Sequence, residues 1–224
     1  MSRRWWEWPR AFDWEPERTA LVVVDMQRGF VDPGAVLEVP MARAQVPVIA
    51  SLLDAFRSRS LPVVYTRFVV RDDFFFPFYA ARAPERGLDL DPPRSMFAPD
   101  SDDAAIADAL APRPGEPVVD KAGYDGFAET SLEGILRSLG VDTLVLCGTV
   151  VNWCVDSTLR GAFHRRFDSI VVADAVSGYD HVGLSGEDWV RAELDFFAEA
   201  LAVVLPSEEL IGALDDPALR SGTR

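Results

Sequence analysis

The sequence predicts an α/β fold: a single-domain, doubly wound, mainly parallel six-stranded sheet, in the order 3-2-1-4-5-6, with helices on both faces. Three observations predict it. Short runs of branched apolar residues recur along the chain, without the polar alternation of a half-exposed strand. Segments with apolar residues at helical spacing separate them. No internal repeat, low-complexity tract or linker divides the chain, and its 224 residues suit one large domain.

The elements follow in order. Residues 1–18 form a Trp-rich N-terminal arm (Trp5, Trp6, Trp8, Trp14) that is no regular element; its aromatics are expected to dock on the domain surface or on a second subunit. The main domain of the chain is placed at 19–210, beginning with strand one, Thr19 to Val24, which runs into Asp25. Asp32-Pro33-Gly34 then carries turn chemistry. Met41 to Ser58 reads as a helix whose start Pro47 blurs, and Leu61 to Thr66 as strand two. Residues 67–100 form a long, aromatic loop, expected to be a lid or an interface, with its densest run at Phe74–Tyr79. Ser101 to Leu110 reads as a short helix capped by Ser101. Strand three is Glu116 to Asp120, running into Lys121. Thr130 to Leu139 is helical, with Thr130 or Ser131 as cap and Gly140 as stop. Strand four begins at Thr143. Its helix buries Val155, Leu159, Ala162 and Phe163. Strand five is Ser169 to Ala173, the next helix Glu187 to Ala200 and strand six Leu201 to Leu205. Residues 211–224 are expected to be a tail.

Composition narrows the function. A formal net charge of -14 disfavours nucleic acid and anionic membrane surfaces as partners, because both demand basic patches. No apolar run is long enough for a membrane span, and the N-terminus lacks the apolar centre of a signal peptide. The two cysteines, Cys147 and Cys154, straddle a strand-to-helix turn and do not form a disulfide framework, so a reducing, cytoplasmic location is expected. Of the 22 basic residues, Lys121 is the single lysine and the other 21 are Arg. An Arg-rich genome accounts for that bias, but a lone lysine also marks a place where a compact charge with an adjustable pKa is needed.

The stretch Thr143 to Thr158, T-L-V-L-C-G-T-V-V-N-W-C-V-D-S-T, holds a strand, a sharp turn and a helix start. Asn152 can cap that helix. Cys154 sits in its first turn, where unpaired amides and the helix dipole favour a thiolate. A buried structural cysteine is the competing reading. In doubly wound sheets, ligands bind outside the carboxyl ends of the strands at the switch point. Asp25, Lys121 and Cys154 all fall at that edge. A carboxylate, an ammonium and a thiol together make a nucleophilic centre: the cation lowers the thiol pKa and the carboxylate takes its proton. Taken singly, Asp25 reads equally as a turn residue and Lys121 as a surface lysine.

The motifs D-M-Q-R-G-F-V-D-P-G at 25–34, K-A-G-Y-D-G-F-A-E-T at 121–130 and G-T-V-V-N-W-C-V-D-S-T at 148–158 resemble those of the isochorismatase-like cysteine hydrolases. The resemblance covers about Thr19 to Leu205. It implies a catalytic Asp25, Lys121 and Cys154. It also implies a non-proline cis peptide at Val150–Val151, and an oxyanion hole from the amides of Val151 and Cys154. The implied reaction is hydrolysis of a small amide, carbamoyl or ureido C–N bond through a thioester. The alternatives are vinyl-ether hydrolysis through Asp25 and a silent binding or redox domain. Nicotinamidases of this fold carry an Asp-x-His metal site after strand two. Here that position reads Y-T-R-F-V-V, so neither metal nor other cofactor is expected. His164 lies about 15 Å along the helix from Cys154, too far for a direct partner, whereas His181 stays possible. Candidate substrate-binding residues are Phe30, Arg67, Tyr124, Phe127 and Val150. Trp153 is expected to narrow the site or pack between subunits. The partner is a small-molecule substrate, and the resemblance implies a homo-oligomer, dimer or tetramer.

Overall fold

The computed structural model describes residues 12–35, 37–70, 81–82, 84–86 and 96–216. Expectations for Trp5, Trp6, Trp8, the Phe74–Tyr79 run and the residues beyond 216 lie outside that set.

Six strands form one sheet in the order β3-β2-β1-β4-β5-β6, all parallel. They are β1 (Thr19–Val24), β2 (Val63–Phe68), β3 (Val118–Lys121), β4 (Thr143–Thr149), β5 (Asp168–Ser177) and β6 (Val203–Leu205). The central strands β1 and β4 are buried at every position, which is why they read as unbroken apolar runs. Their side chains alternate between two layers. Leu21 and Val23 pack against one face, where α1 (Arg28–Val31) and α2 (Pro40–Ser58) contribute Phe30, Ile49, Leu52 and Phe56. Ala20, Val22 and Val24 pack on the other, against α3 (Leu132–Ser138), α4 (Asp156–His164) and α5 (Gly186–Ala200) through Leu136, Leu159 and Phe197. Each such large apolar side chain contributes about 1.5–3 kcal/mol by leaving water.

Local signals place the helix ends. Pro40 occupies the first position of α2, where a missing amide costs nothing; Pro47 lies inside that helix and does not start it. Ser185 caps α5 by accepting from the Asp188 amide at 3.1 Å. Gly140 stops α3 with a φ of 73°.

Several expectations require correction. Residues 101–107 form turns instead of a helix, and only Asp108–Leu110 makes a short 3₁₀ turn. The backbone there bonds outward. Arg28 and Gly29 donate to Ala105 and Asp103 carbonyls at 2.8 and 3.0 Å, and the Ala107 amide donates to the Met26 carbonyl at 2.9 Å. Those bonds consume the groups a helix ladder requires. Asn152 caps nothing: it lies inside a π-helical turn, Val151–Val155, that precedes α4. Phe163 is 50% exposed, because it sits past the stripe of α4 that carries Leu159 and Ala162 into the core. The tail expected from residue 211 is helical at first. Here α6 (Ser207–Asp215) buries Leu210, Ala213 and Leu214, and its start is held by Asp174, which accepts from the Ser207 amide at 2.7 Å. Trp14 of the arm is buried in the first core layer.

At the carboxyl end of the β1–β4 pairing, Val24 lies opposite Gly148. A side chain there is excluded: Gly148 has a φ of 117°, and an added Cβ lies 2.0 Å from the Val24 carbonyl oxygen. Gly148→Ala is therefore expected to lower stability by more than about 2 kcal/mol, measured as a shift in the denaturant midpoint at unchanged slope.

Candidate active site

The carboxyl ends of β1 and β3 and the turn after β4 bring Asp25, Lys121 and Cys154 into contact. Asp25 follows β1 in a left-handed conformation, φ 50°. Its amide donates to the Thr66 carbonyl at 3.2 Å and its Oδ1 accepts from Thr66 Oγ1 at 2.8 Å. Lys121 ends the edge strand β3. There burial alternates, so that Val119 and Lys121 point inward while Val118 and Asp120 point outward. Two strand spacings, about 10 Å, separate β3 from β1, and the Lys121 and Asp25 side chains close that distance between them. The Lys121 ammonium has three protons and three acceptors. It lies 2.7 Å from Asp25 Oδ2, 3.2 Å from Cys154 Sγ and 2.9 Å from the Gly123 carbonyl. The side chains of Asp25 and Lys121 are both 0% exposed, and Cys154 is 7% exposed.

The electrostatics settle which group carries the charge at rest. Burial pushes the Cys154 thiol up to about 12, with Asp25 adding to the rise and Lys121 pulling against it. Burial alone lowers the Lys121 ammonium, but Asp25, and then Cys154, outweigh it and leave it raised. The resting site is thus an ion pair beside a protonated thiol. The helix start and the cation do not by themselves yield a thiolate, because desolvation is the larger effect. Cys147 is also raised by burial and bonds only weakly, Sγ to the Val22 carbonyl at 3.9 Å.

The turn that carries Cys154 has unusual backbone bonding. The Val150 carbonyl accepts from Trp153 at 3.0 Å and from Val155 at 3.1 Å. The wide turn between them passes over Cys154. A cis peptide is present, but between Thr149 and Val150. The expected Val150–Val151 position is one residue too late, since β4 runs on through Thr149 and the turn begins only at Val151. The amide in that bond is Val150's.

The structure separates the remaining candidates. Arg67 does not face the site: it projects from β2 on the side opposite Thr66 and forms a two-point pair with Asp120, at 2.5 and 2.9 Å. That bond raises the Arg67 guanidinium further. Phe127 belongs to the core, stacked on Phe167 at 5.8 Å between ring centres. Phe30 is core as well, packed on Phe97 at 4.6 Å. Val150 is buried in the layer under α2. Tyr124 lies edge-on to Trp153, the residue before Cys154, at 5.0 Å, and Trp153 reaches both core layers. His181 has a defined place. Its Nε2 lies 3.2 Å from Asn152 Nδ2 and its Nδ1 3.0 Å from the Tyr179 carbonyl. The ring is stacked between Tyr179 and Trp189, at 4.5 and 4.8 Å. Among the described residues, no cluster of three or more His, Cys, Asp or Glu side chains is gathered for a metal ion.

Two residues escaped sequence reasoning. Thr66 is a small hydroxyl among the fully buried positions of β2, a visible signal. Gln27 is buried two residues after Asp25. It donates to the Phe68 and Ala104 carbonyls at 2.8 and 3.1 Å and accepts from the Phe68 amide at 2.7 Å. It thereby locks the end of β1 to β2.

Comparison with known proteins follows the same lines. The isochorismatase domain profile matches residues 19–209. A ureidoacrylate amidohydrolase of Azorhizobium caulinodans is 31% identical over 217 residues, 86% of this chain and 94% of the relative. One from Methylobacterium radiotolerans is 34% identical over 180 residues, 75% of this chain and 70% of the relative. A cysteine hydrolase structure from Pseudomonas syringae pv. phaseolicola superposes with a TM-score of 0.82 at 32% identity, covering 97% of this chain and all of that one (100%). The N-carbamoylsarcosine amidase of Thermoplasma acidophilum superposes at 0.69 with 31% identity, over 85% of this chain and 97% of that one.

Two outcomes are expected from the ion pair and the thiol. Lys121→Met leaves a buried carboxylate without its cation and should cost about 3–5 kcal/mol of stability, read by denaturant unfolding. The thiolate absorbance that Cys154→Ala removes should be missing at neutral pH and grow only as pH rises toward about 12.

Proposed function

The chain belongs to the isochorismatase family, and from that premise we propose that it is a hydrolase of small amide, carbamoyl or ureido C–N bonds acting through a Cys154 thioester. One observation carries the reading: Lys121 touches both Asp25 and Cys154, at 2.7 and 3.2 Å, in a site closed to bulk water. The ureidoacrylate amidohydrolase and N-carbamoylsarcosine amidase relatives support the choice of bond.

The mechanism follows from the resting state. The thiol is protonated, so attack needs a base, and Asp25 is the carboxylate beside it. As the Cys154 sulfur bonds to the substrate carbon, its proton passes to Asp25. The carbonyl electrons move onto oxygen. The candidate donors for that oxyanion are the amides of Val150, Val151 and Cys154 at the start of the turn. Asp25 then protonates the departing nitrogen, the C–N bond breaks, and ammonia or a small amine leaves a thioester. Water attacks the thioester with Asp25 again taking a proton. The S–C bond breaks, the acid or carbamate leaves, and sulfur recovers its proton. Lys121 keeps its charge throughout and holds Asp25 and the sulfur at fixed separation. Its net effect is to stabilise each state in which negative charge sits on the carboxylate or on sulfur.

The test is release of ammonia from a panel of ureido acids, carbamoyl amino acids and primary amides. Wild type should turn over at least one class. Cys154→Ala and Asp25→Asn should each lose at least about 10³-fold in kcat. A Cys154→Ala variant with full turnover removes the thioester. If wild type instead releases no ammonia but cleaves a vinyl ether, and Asp25→Ala loses that activity while Cys154→Ala keeps it, vinyl-ether hydrolysis becomes the reading.

A further inference from the structure

We infer that Thr66 is a positioning residue for Asp25, fixing which carboxylate oxygen exchanges protons with Cys154; this rests on the reading of Asp25 as the proton acceptor. The geometry divides the carboxylate between two partners. Oδ1 accepts from the Thr66 hydroxyl at 2.8 Å, whereas Oδ2 faces the Lys121 ammonium at 2.7 Å. The same threonine holds the Asp25 backbone, its carbonyl accepting the Asp25 amide at 3.2 Å. Thr66 is 0% exposed, so water cannot replace its hydroxyl.

The physical need is clear. The terminal torsion of an Asp side chain is broad and roughly two-fold, so the carboxylate plane is poorly fixed by its own rotamer. A left-handed backbone at Asp25 adds no second constraint on that torsion. A donor on the neighbouring strand does. Threonine suits the task, because β-branching stiffens its χ1 and its hydroxyl stands ready on a strand paired in register, Thr66 opposite Val24. With Oδ1 engaged, Oδ2 is the oxygen left facing the ammonium, which itself contacts the Cys154 sulfur. That pre-aligns the carboxylate with the sulfur before substrate arrives, and small misplacements of a catalytic group carry large rate penalties.

The experiment compares Thr66→Val, which keeps shape and removes the donor, with Thr66→Ser, which keeps the donor. Two readouts are taken: steady-state kinetics, and the rate of Cys154 alkylation by iodoacetamide at neutral pH. Thr66→Val is expected to lose about 10- to 100-fold in kcat, with KM within about twofold, and a matching loss in alkylation rate. Thr66→Ser is expected to stay within about threefold of wild type in both. Wild-type kcat and alkylation in Thr66→Val overturn the inference. Equal losses in Thr66→Val and Thr66→Ser also overturn it, since they assign the effect to the methyl group and packing. Should Thr66→Val fail to fold, Thr66→Ala takes its place with the same expected loss, and wild-type behaviour in it is again fatal. Alkylation needs no substrate. A slowed alkylation in Thr66→Val, with no turnover of any amide by wild type, therefore supports the positioning role while rejecting the proposed reaction.

Discussion

The structure depends on one buried ion pair. Lys121 and Asp25 meet at 2.7 Å with neither side chain exposed. Removing two charges from water costs several kcal/mol per ion, and attraction offsets this only where the remaining donors and acceptors are satisfied. Here the ammonium also reaches Gly123 and Cys154, and the other carboxylate oxygen accepts from Thr66. Three strands and the nucleophile turn must come together to supply those partners. The pair therefore reports on the assembly of the whole carboxyl edge of the sheet.

That depth also reverses the simplest expectation about the thiol. A helix start and a neighbouring cation both favour a thiolate, yet burial wins and leaves the sulfur protonated. On the proposed mechanism the chemistry begins with proton transfer and not with a standing nucleophile. A protonated sulfur is also poorly reactive toward solvent-borne oxidants, since the thiolate is the susceptible form.

Much of this was legible in the residues. Fully apolar runs gave the strands, and the strand-end rule placed Asp25, Lys121 and Cys154 at one edge before any coordinates. The lone lysine in an Arg-rich chain is the residue that the structure places against both Asp25 and Cys154. What failed shares a cause: side-chain direction set by partners distant in sequence. Arg67 is adjacent to the site in sequence, but strand alternation turns it toward Asp120. Phe127 follows the Lys121 motif, yet Phe167 draws it into the core. Ser101 to Leu110 has a helix-like pattern, but segment 26–29 takes its backbone bonds. Thr66 could be read as a hydroxyl within β2, whereas its role needed the β1–β2 register.

The contact between Gly148 and the Val24 carbonyl has a further consequence. It makes the spacing of β1 and β4 a matter of main chain against main chain, next to the residues that precede Asp25 and Cys154. Side-chain drift elsewhere cannot widen that gap. The reactive distance is thereby insulated from change in the surrounding loops, such as that carrying Tyr179 and His181. The loops around this edge can differ while Asp25, Lys121 and Cys154 keep their places.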